Sequence, residues 1–95
     1  MKQYAIGLDF GTLSVRALLM DIKTGEEHAV SVFEYPHGVM ENTLPSGEKL
    51  PNGFALQHPQ DYIDGLIAVI RGVMSQSQVN PEEVIGIGID FTAST

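Results

Sequence analysis

The most informative segment of the chain is residues 9–16, Asp9-Phe10-Gly11-Thr12-Leu13-Ser14-Val15-Arg16. It follows an apolar run, residues 4–8, and leads into another, residues 17–20. A carboxylate at the end of a buried strand can hold a divalent cation, and a Gly-Thr-x-Ser turn offers backbone N–H groups and hydroxyls to phosphate oxygens. The stretch therefore predicts a hairpin that handles phosphate, as in nucleotide chemistry.

The chain partly repeats this pattern near its other end. Residues 6–12, Ile-Gly-Leu-Asp-Phe-Gly-Thr, are echoed by residues 87–92, Ile-Gly-Ile-Asp-Phe-Thr. Alternate residues of a strand share a face, so each copy predicts an apolar side and a small-residue side that ends in Asp9 or Asp90. If the two strands lie parallel and close together, both carboxylates reach one crevice at the carboxyl end of the sheet. The alternative is two unrelated buried strands whose terminal Asp residues begin turns.

The composition limits the class of protein. The 95 residues suit one small domain. A net charge of -7 leaves no basic surface for a phosphodiester backbone, so we expect no nucleic-acid partner. The sequence has no cysteine, which excludes disulfides and thiolate metal sites. Because Asp9 and Arg16 interrupt the first apolar run, it resembles neither a signal peptide nor a membrane span, and we expect a cytoplasmic protein with no membrane partner.

Hydrophobic patterning predicts three strands in succession, over residues 3–10, 14–21 and 26–35. The connection 21–25 carries Gly25 at a position suited to positive φ. The third strand alternates less regularly, so we expect it nearer the edge of the sheet. Residues 36–58 are rich in Pro, Gly and Asn. They show neither the two-residue period of a strand nor the 3.6-residue period of a helix, and therefore predict a long loop.

A helix is predicted to begin at Pro59 and to end within residues 75–80, with Asp61 in its first turn, where a negative charge favours the helix dipole. Apolar residues at spacings of three and four predict a broad buried face. Gly65 and Gly72 form a small-residue stripe with Ala68, which suggests close approach to the sheet or a tolerated weakness. Residues 81–83 then predict a turn and residues 84–91 a last strand, parallel to one already formed. The predicted apolar face comprises Tyr62, Ile63, Leu66, Ile67, Val69, Ile70, Val73 and Met74.

Three antiparallel strands, a helix and a returning parallel strand are similar to the opening of the ribonuclease-H-like α/β fold of actin and hexokinase-type ATPases. The stretch 9–16 resembles the first phosphate motif of the FGGY carbohydrate kinases. Residues 50–62, Leu-Pro-Asn-Gly-Phe-Ala-Leu-Gln-His-Pro-Gln-Asp-Tyr, and residues 86–92 resemble the branch of that family that acts on L-ribulose. The resemblance spans essentially all of the chain. It implies ATP-dependent phosphorylation of L-ribulose in L-arabinose catabolism, with Mg²⁺, in a homo-oligomer when full length.

The resemblance also implies roles for individual residues. Asp9 would lie near Mg²⁺, and Asp90 would border the sugar. Turn capping is the ordinary alternative for Thr12 and Ser14, a charged strand face for Arg16, and strand capping for Asp90. The nucleotide-binding positions are Asp9, Gly11, Thr12, Leu13 (by its backbone), Ser14 and Arg16; the sugar-binding positions are Asp90, Ala93 and Ser94.

The three histidines are not predicted to form a catalytic or metal site. We expect His58 to cap or pack at the start of the helix, and His28 and His37 to have no partner at ligand spacing.

The general base of the family lies beyond residue 95, so residues 1–95 are expected to be the incomplete N-terminal part of a kinase domain and inactive alone. A kinase for another sugar or polyol, such as D-ribulose, xylulose or glycerol, is an alternative within the family. Two alternatives lie outside the family. A ribonuclease-H-like nuclease would need a basic groove, which the net charge of -7 does not provide. A non-enzymatic actin-like domain would bind nucleotide without sugar turnover.

Overall fold

The computed structural model describes residues 2–40, 46–49 and 56–91. The main sheet has four strands, in the order β3-β2-β1-β6. Strands β1 and β2 pair antiparallel, as do β2 and β3, and β6 returns parallel to β1, as predicted. The elements in chain order are β1 Tyr4–Phe10, β2 Ser14–Asp21, β3 Glu27–Glu34, β4 Val39–Met40, β5 Leu56–Gln57, α1 Pro59–Ser77, a short 3₁₀ helix Pro81–Glu83 and β6 Val84–Phe91.

The alternation in β1 and β2 divides the sheet into two faces. One face packs against α1, which lies across β2 and β3. The opposite face is largely open. The fold is therefore the predicted α/β arrangement, with one helix layer on part of one face. The buried core comprises Tyr4, Ile6, Leu8, Phe10, Val15, Ala17, Leu19, Ala29, Tyr35, Val69 and Val73.

The turn between β2 and β3 follows its sequence closely. Gly25 has φ +74°, the left-handed conformation that glycine adopts without a Cβ clash. Asp21 Oδ1 accepts hydrogen bonds from the backbone N–H groups of Lys23 and Thr24, at 2.8 and 3.3 Å. The bond from Lys23 is the main reason why the pKa of Asp21 lies below its usual value. The polar turn residues thus satisfy the backbone groups that the hairpin leaves unpaired.

Helix α1 meets the sheet along its glycine stripe. A Cβ atom at Gly65 would lie 2.6 Å from Val15 Cγ1 and 3.0 Å from Phe33 Cδ2. A Cβ atom at Gly72 would lie 2.8 Å from Ser31 Cβ. Because no Cβ can occupy these positions without a displacement, the glycines permit the close approach of the helix, and the cost in helix propensity is offset by packing.

Two expectations about this region are wrong. The apolar face of α1 is narrower than predicted, since Ile63 and Ile67 are 52% and 46% exposed. Their side chains lie on the side of the helix away from the stripe that contains Gly65 and Val69. The segment 36–58 is also not loop throughout, because β4 and β5 pair antiparallel within it. Strands of two residues are too short to show an alternating pattern in the sequence.

Candidate functional site

The open face of the sheet carries a groove whose floor has almost no side chains. Gly7 and Gly88 are paired in register on β1 and β6, and nothing lies within 4 Å of a Cβ built at either position. The groove has a volume of about 610 Å³. Two glycines at adjacent strand positions therefore leave room for a ligand to approach the backbone. Its lining is formed by Gly7, Leu8, Asp9, Arg16, Leu18, Glu27, Gly88, Ile89 and Asp90.

Two carboxylates lie in this groove, near the carboxyl ends of strands β1 and β6. Asp9 and Asp90 are paired in register on parallel neighbouring strands and both line the groove. Paired residues on adjacent strands lie about 4.8 Å apart across the sheet and project from the same face. The predicted convergence of the two acidic strand ends is confirmed.

Arg16 faces the same groove from the other side of β1. It is paired with Asp9 in the antiparallel register of β1 and β2, and it is exposed. The groove therefore presents two adjacent carboxylates beside a guanidinium group. A guanidinium group can hold phosphate oxygens through several N–H donors, while carboxylates suit a hard divalent cation.

The turn between β1 and β2 follows Asp9 directly. The Gly11 N–H donates to the Ser14 carbonyl oxygen at 2.8 Å, which closes the turn. Leu13 at its tip is 62% exposed, while Thr12 and Ser14 are half-buried. Of the predicted nucleotide-binding positions, Asp9 and Arg16 line the groove, and positions 11–14 form the turn that joins the strands of these two residues. Ala93 and Ser94 lie outside the described residues.

The donor set at the groove fits Mg²⁺. This cation is usually held by one or two carboxylates together with water and substrate phosphates. Asp9 and Asp90 supply two exposed carboxylates side by side, without nitrogen or sulfur ligands in the described lining of the groove. Oxygen ligands of this kind favour Mg²⁺ over a transition metal.

A second polar cluster was missed by the sequence reasoning. Asp61 is 3% exposed and accepts two hydrogen bonds from His37, one from its ring Nδ1 at 2.8 Å and one from its backbone N–H at 3.0 Å. Burial is the largest single influence and raises the pKa of Asp61, but the two hydrogen bonds from His37 and the electrostatic influence of His37 and His58 together outweigh it, so that the pKa lies below its usual value. The expectation that His37 has no partner at ligand spacing is wrong, since Asp61 is its partner. Sequence spacing could not reveal this contact, because 24 positions separate the two residues.

His58 joins the same cluster. It is the N-cap residue of α1, but its side chain makes no capping hydrogen bond. Its ring stacks on His37 instead, with the centroids 4.2 Å apart and the planes 15° from parallel. Of the two roles predicted for His58, packing is therefore the one observed. A signal for the cluster does exist in the sequence: Asp61 lies four residues before Gly65, on the stripe that the helix buries, and a buried carboxylate needs a partner.

The helix-facing side of β6 is uncovered in the described part of the chain. Its four apolar side chains are between 54% and 63% exposed. Two of them, Ile85 and Ile87, border a second groove of about 390 Å³, which Ile70 and Met74 of α1 also line. Among the described residues, no helix is both long enough and apolar enough to cross a membrane. The exposed side chains are Ile85, Ile87, Ile89 and Phe91.

The fold is that of the sugar kinases. The chain superimposes on gluconate kinase from Lactobacillus acidophilus with a TM-score of 0.73 at 21% sequence identity, over 97% of this chain and 16% of that one. Residues 4–94 match the sequence model of the N-terminal domain of the FGGY family of carbohydrate kinases. The chain therefore belongs to the FGGY family.

Curated relatives of the chain include ribulokinases. The ribulokinase of Geobacillus thermodenitrificans is 52% identical over 95 residues, which cover 99% of this chain and 17% of that protein. The ribulokinase of Staphylococcus aureus (strain Newman) is 40% identical over 92 residues, covering 97% of this chain and 17% of that protein. The chain thus spans about a sixth of the length of the curated relatives that it matches.

Proposed function

We propose that the full-length protein carrying this chain is an L-ribulokinase, which transfers the γ-phosphoryl group of ATP to the terminal hydroxyl of L-ribulose. The pairing of Asp9 with Asp90, beside Arg16 in one open groove, is the observation that carries the proposal. The identity to ribulokinases, at 52% over nearly the whole chain, supports this sugar over other substrates of the family.

Phosphoryl transfer depends mainly on positioning and on neutralising charge. Asp9 would hold Mg²⁺ through water, and the bound cation would shield the β- and γ-phosphates when present. The turn from Gly11 to Ser14 would supply backbone and hydroxyl donors to the phosphates. Arg16, next to Asp9 in the sheet, would hold a phosphate oxygen by charge-assisted hydrogen bonds.

The sugar would lie on the β6 side of the groove. Asp90 would border it, and Ala93 and Ser94 would follow it along the chain. The base that accepts the proton of the sugar hydroxyl is expected from outside residues 1–95, as the family resemblance implies. Residues 1–95 would then form the N-terminal portion of the kinase's N-terminal domain.

The proposal places the protein in L-arabinose catabolism, in the cytoplasm, with ATP, Mg²⁺ and a sugar as its small-molecule partners. We further propose that the full-length protein is a homo-oligomer and that it has no nucleic-acid or membrane partner. The net charge of -7 supports the absence of a nucleic-acid partner, because a negatively charged surface repels phosphodiester backbones.

A substrate screen tests the proposed function. The full-length protein is supplied with Mg²⁺, ATP and L-ribulose, D-ribulose, D-xylulose or glycerol, and ADP release is measured against a blank without sugar. The highest kcat/KM is expected with L-ribulose. Preference for another of these sugars would support kinase activity but contradict L-ribulose as the substrate. Nucleotide binding without turnover on any sugar would favour a non-enzymatic actin-like role.

A further inference from the structure

We propose that Asp61 and His37 are positioning residues for the nucleotide, because together they fix the segment that supports the phosphate-binding turn. This inference rests on the proposed function of that turn. Neither residue lines the groove with Asp9 and Asp90. They act through residues 35–38, which lie between the start of α1 and the turn 11–14.

The contact between Asp61 and His37 holds a backbone as well as a side chain. Oδ2 of Asp61 accepts the backbone N–H of His37 at 3.0 Å, and Oδ1 accepts the ring Nδ1–H at 2.8 Å. An ionised carboxylate accepts only, so the ring nitrogen must be the donor. The carboxylate side chain is 4% exposed, which excludes water as a competitor. A buried, doubly bonded carboxylate therefore fixes both the position of residue 37 and the orientation of its ring.

Two further hydrogen bonds and one packing contact join this anchor to the phosphate turn. The Tyr35 N–H donates to the Leu13 carbonyl oxygen at 2.9 Å, and the Gly38 N–H donates to the Tyr35 carbonyl oxygen at 3.1 Å. Leu13 Cδ2 lies 3.6 Å from the position that a Cβ of Gly38 would take. In the chain, His37 lies between Tyr35, which bonds the Leu13 carbonyl oxygen, and Gly38, which lies beside the Leu13 side chain. Movement of His37 would consequently displace the tip of the turn.

Two simpler roles for the cluster fit the geometry less well. A helix cap would bond the N–H groups of its own helix, whereas the bonds of Asp61 described here come from a residue 24 positions away. A metal site needs lone pairs that converge. The His37 and His58 rings are stacked 15° from parallel, so their in-plane lone pairs lie in two separate planes, and both Asp61 oxygens already accept hydrogen bonds from His37.

The test uses nucleotide affinity in the full-length protein. Asp61→Ala removes both acceptors, whereas Asp61→Asn keeps one acceptor for the backbone N–H and can donate to the other tautomer of His37. Asp64→Ala removes an exposed carboxylate one turn along the helix and serves as control. We expect Asp61→Ala to raise the Kd of Mg–ADP, measured by calorimetry, and the KM of ATP about tenfold, while Asp61→Asn and Asp64→Ala stay within about twofold. The KM of L-ribulose should be unchanged.

A glycine pair gives an independent comparison that does not depend on Asp61→Ala folding. Gly38 and Gly25 both have positive φ, +53° and +74°, so alanine at either costs a similar backbone strain of about 1 kcal/mol. Of the two, only Gly38 lies beside Leu13: a Cβ at residue 38 would be 3.6 Å from Leu13 Cδ2, whereas a Cβ at residue 25 would have no such neighbour within 4 Å. Gly38→Ala and Gly25→Ala should lower the Tm alike, and only Gly38→Ala should weaken Mg–ADP binding.

Three results would overturn the inference or its basis. Unchanged Mg–ADP affinity in Asp61→Ala and Gly38→Ala, with an active wild type, would reject the positioning role alone. Equal loss of affinity in Gly38→Ala and Gly25→Ala would assign the effect to general destabilisation and reject it as well. A wild type that binds Mg–ADP but phosphorylates no sugar would reject the proposed function, while the comparison of affinities would still decide the inference.

Discussion

Asp9 and Asp90 lie side by side, in register on two parallel strands, with both carboxylates facing the same open groove. Two like charges about 4 Å apart repel by about 1 kcal/mol in bulk water and by several times more in a less polar environment. The exposed position of both residues keeps this cost small. Arg16, paired with Asp9 on the other side, reduces it further. The arrangement gives little stability by itself, and it suits a cation and a phosphate.

Replacing each carboxylate by its amide separates the two proposed roles. Asp9→Asn should lower kcat about a hundredfold or more, because a group that positions charge in the transition state is lost, and should raise the Mg²⁺ concentration needed for half-maximal rate. Asp90→Asn should act mainly on the KM of L-ribulose. Initial rates with ATP, Mg²⁺ and sugar varied in turn measure both effects. Asp64→Asn is the matched control, and a wild-type Mg²⁺ dependence in Asp9→Asn would contradict the role of Asp9.

Gly65→Ala tests the close approach of α1 to the sheet. Alanine gains about 1 kcal/mol of helix propensity. Its Cβ would lie 2.6 Å from Val15 Cγ1, which is fully buried and cannot move aside, and overpacking of this kind costs about 1–3 kcal/mol. We expect a net loss of stability, seen as a lower Tm of the full-length protein. A Cβ atom at Gly86 would have no non-neighbouring atom within 4 Å. Gly86→Ala should therefore change the free energy of unfolding by less than about 0.5 kcal/mol.

The close contact also predicts a coupling between the two positions. In the double variant Val15→Ala with Gly65→Ala, the smaller side chain leaves room for the new Cβ. The combined loss of stability should be smaller than the two single losses added together, by about 1 kcal/mol. Simple additivity of the losses would show that the Cβ of residue 65 does not meet Val15.

Tyr35 predicts a loss of stability in alkaline solution. Burial, with smaller contributions from the neighbouring Tyr62 and Asp61, raises the pKa of Tyr35 to about 12, against about 10 for an unfolded tyrosine. Because the folded state holds this proton more tightly, the stabilisation is full below pH ~10 and is lost as the pH rises towards ~12. Thermal unfolding between pH 8 and 12 should show a decline that is shallower in Tyr35→Phe.

The same substitution should not harm the protein at neutral pH. The Tyr35 hydroxyl is buried with no hydrogen-bond partner among the described residues. Removing a buried, unsatisfied polar group is neutral or stabilising, by up to about 1 kcal/mol here. A Tm of Tyr35→Phe well below that of the wild type at pH 8 would mean that the hydroxyl has a partner in the full-length protein.

Residues 1–95 expressed alone should release no ADP in response to L-ribulose and should self-associate. The exposed apolar side of β6 provides an unpaired sheet edge and an uncovered face, which favour association. Ile87→Lys with Ile89→Lys should shift the sedimentation profile towards monomer. Val32→Lys, at a side chain that is equally exposed on β3, is the control. Turnover above a blank, or a monomeric and cooperatively melting wild-type sample, would contradict this expectation.

The elements with a strong period were predictable from the sequence. Strands β2 and β6 have the predicted bounds, and β1 buries its apolar side as predicted, because alternation of apolar and small residues fixes which side of a strand can be buried. The apolar side of β6 is exposed in the described part of the chain. The β4 and β5 pair was not predictable, since two residues carry no period. Ile63 and Ile67 were assigned to a buried face from spacing alone, although spacing cannot say how wide a stripe the sheet covers.

The two acidic strand ends, the glycine-containing turn and helix α1 could be read from local sequence, because each depends on hydrophobic period and on the conformations that glycine and proline allow. The shared register of Asp9 and Asp90 and the contact between Asp61 and His37 follow only from the three-dimensional packing. Both relationships join residues far apart in the chain. Their geometry depends on how the strands and the helix pack, and no local pattern records that packing.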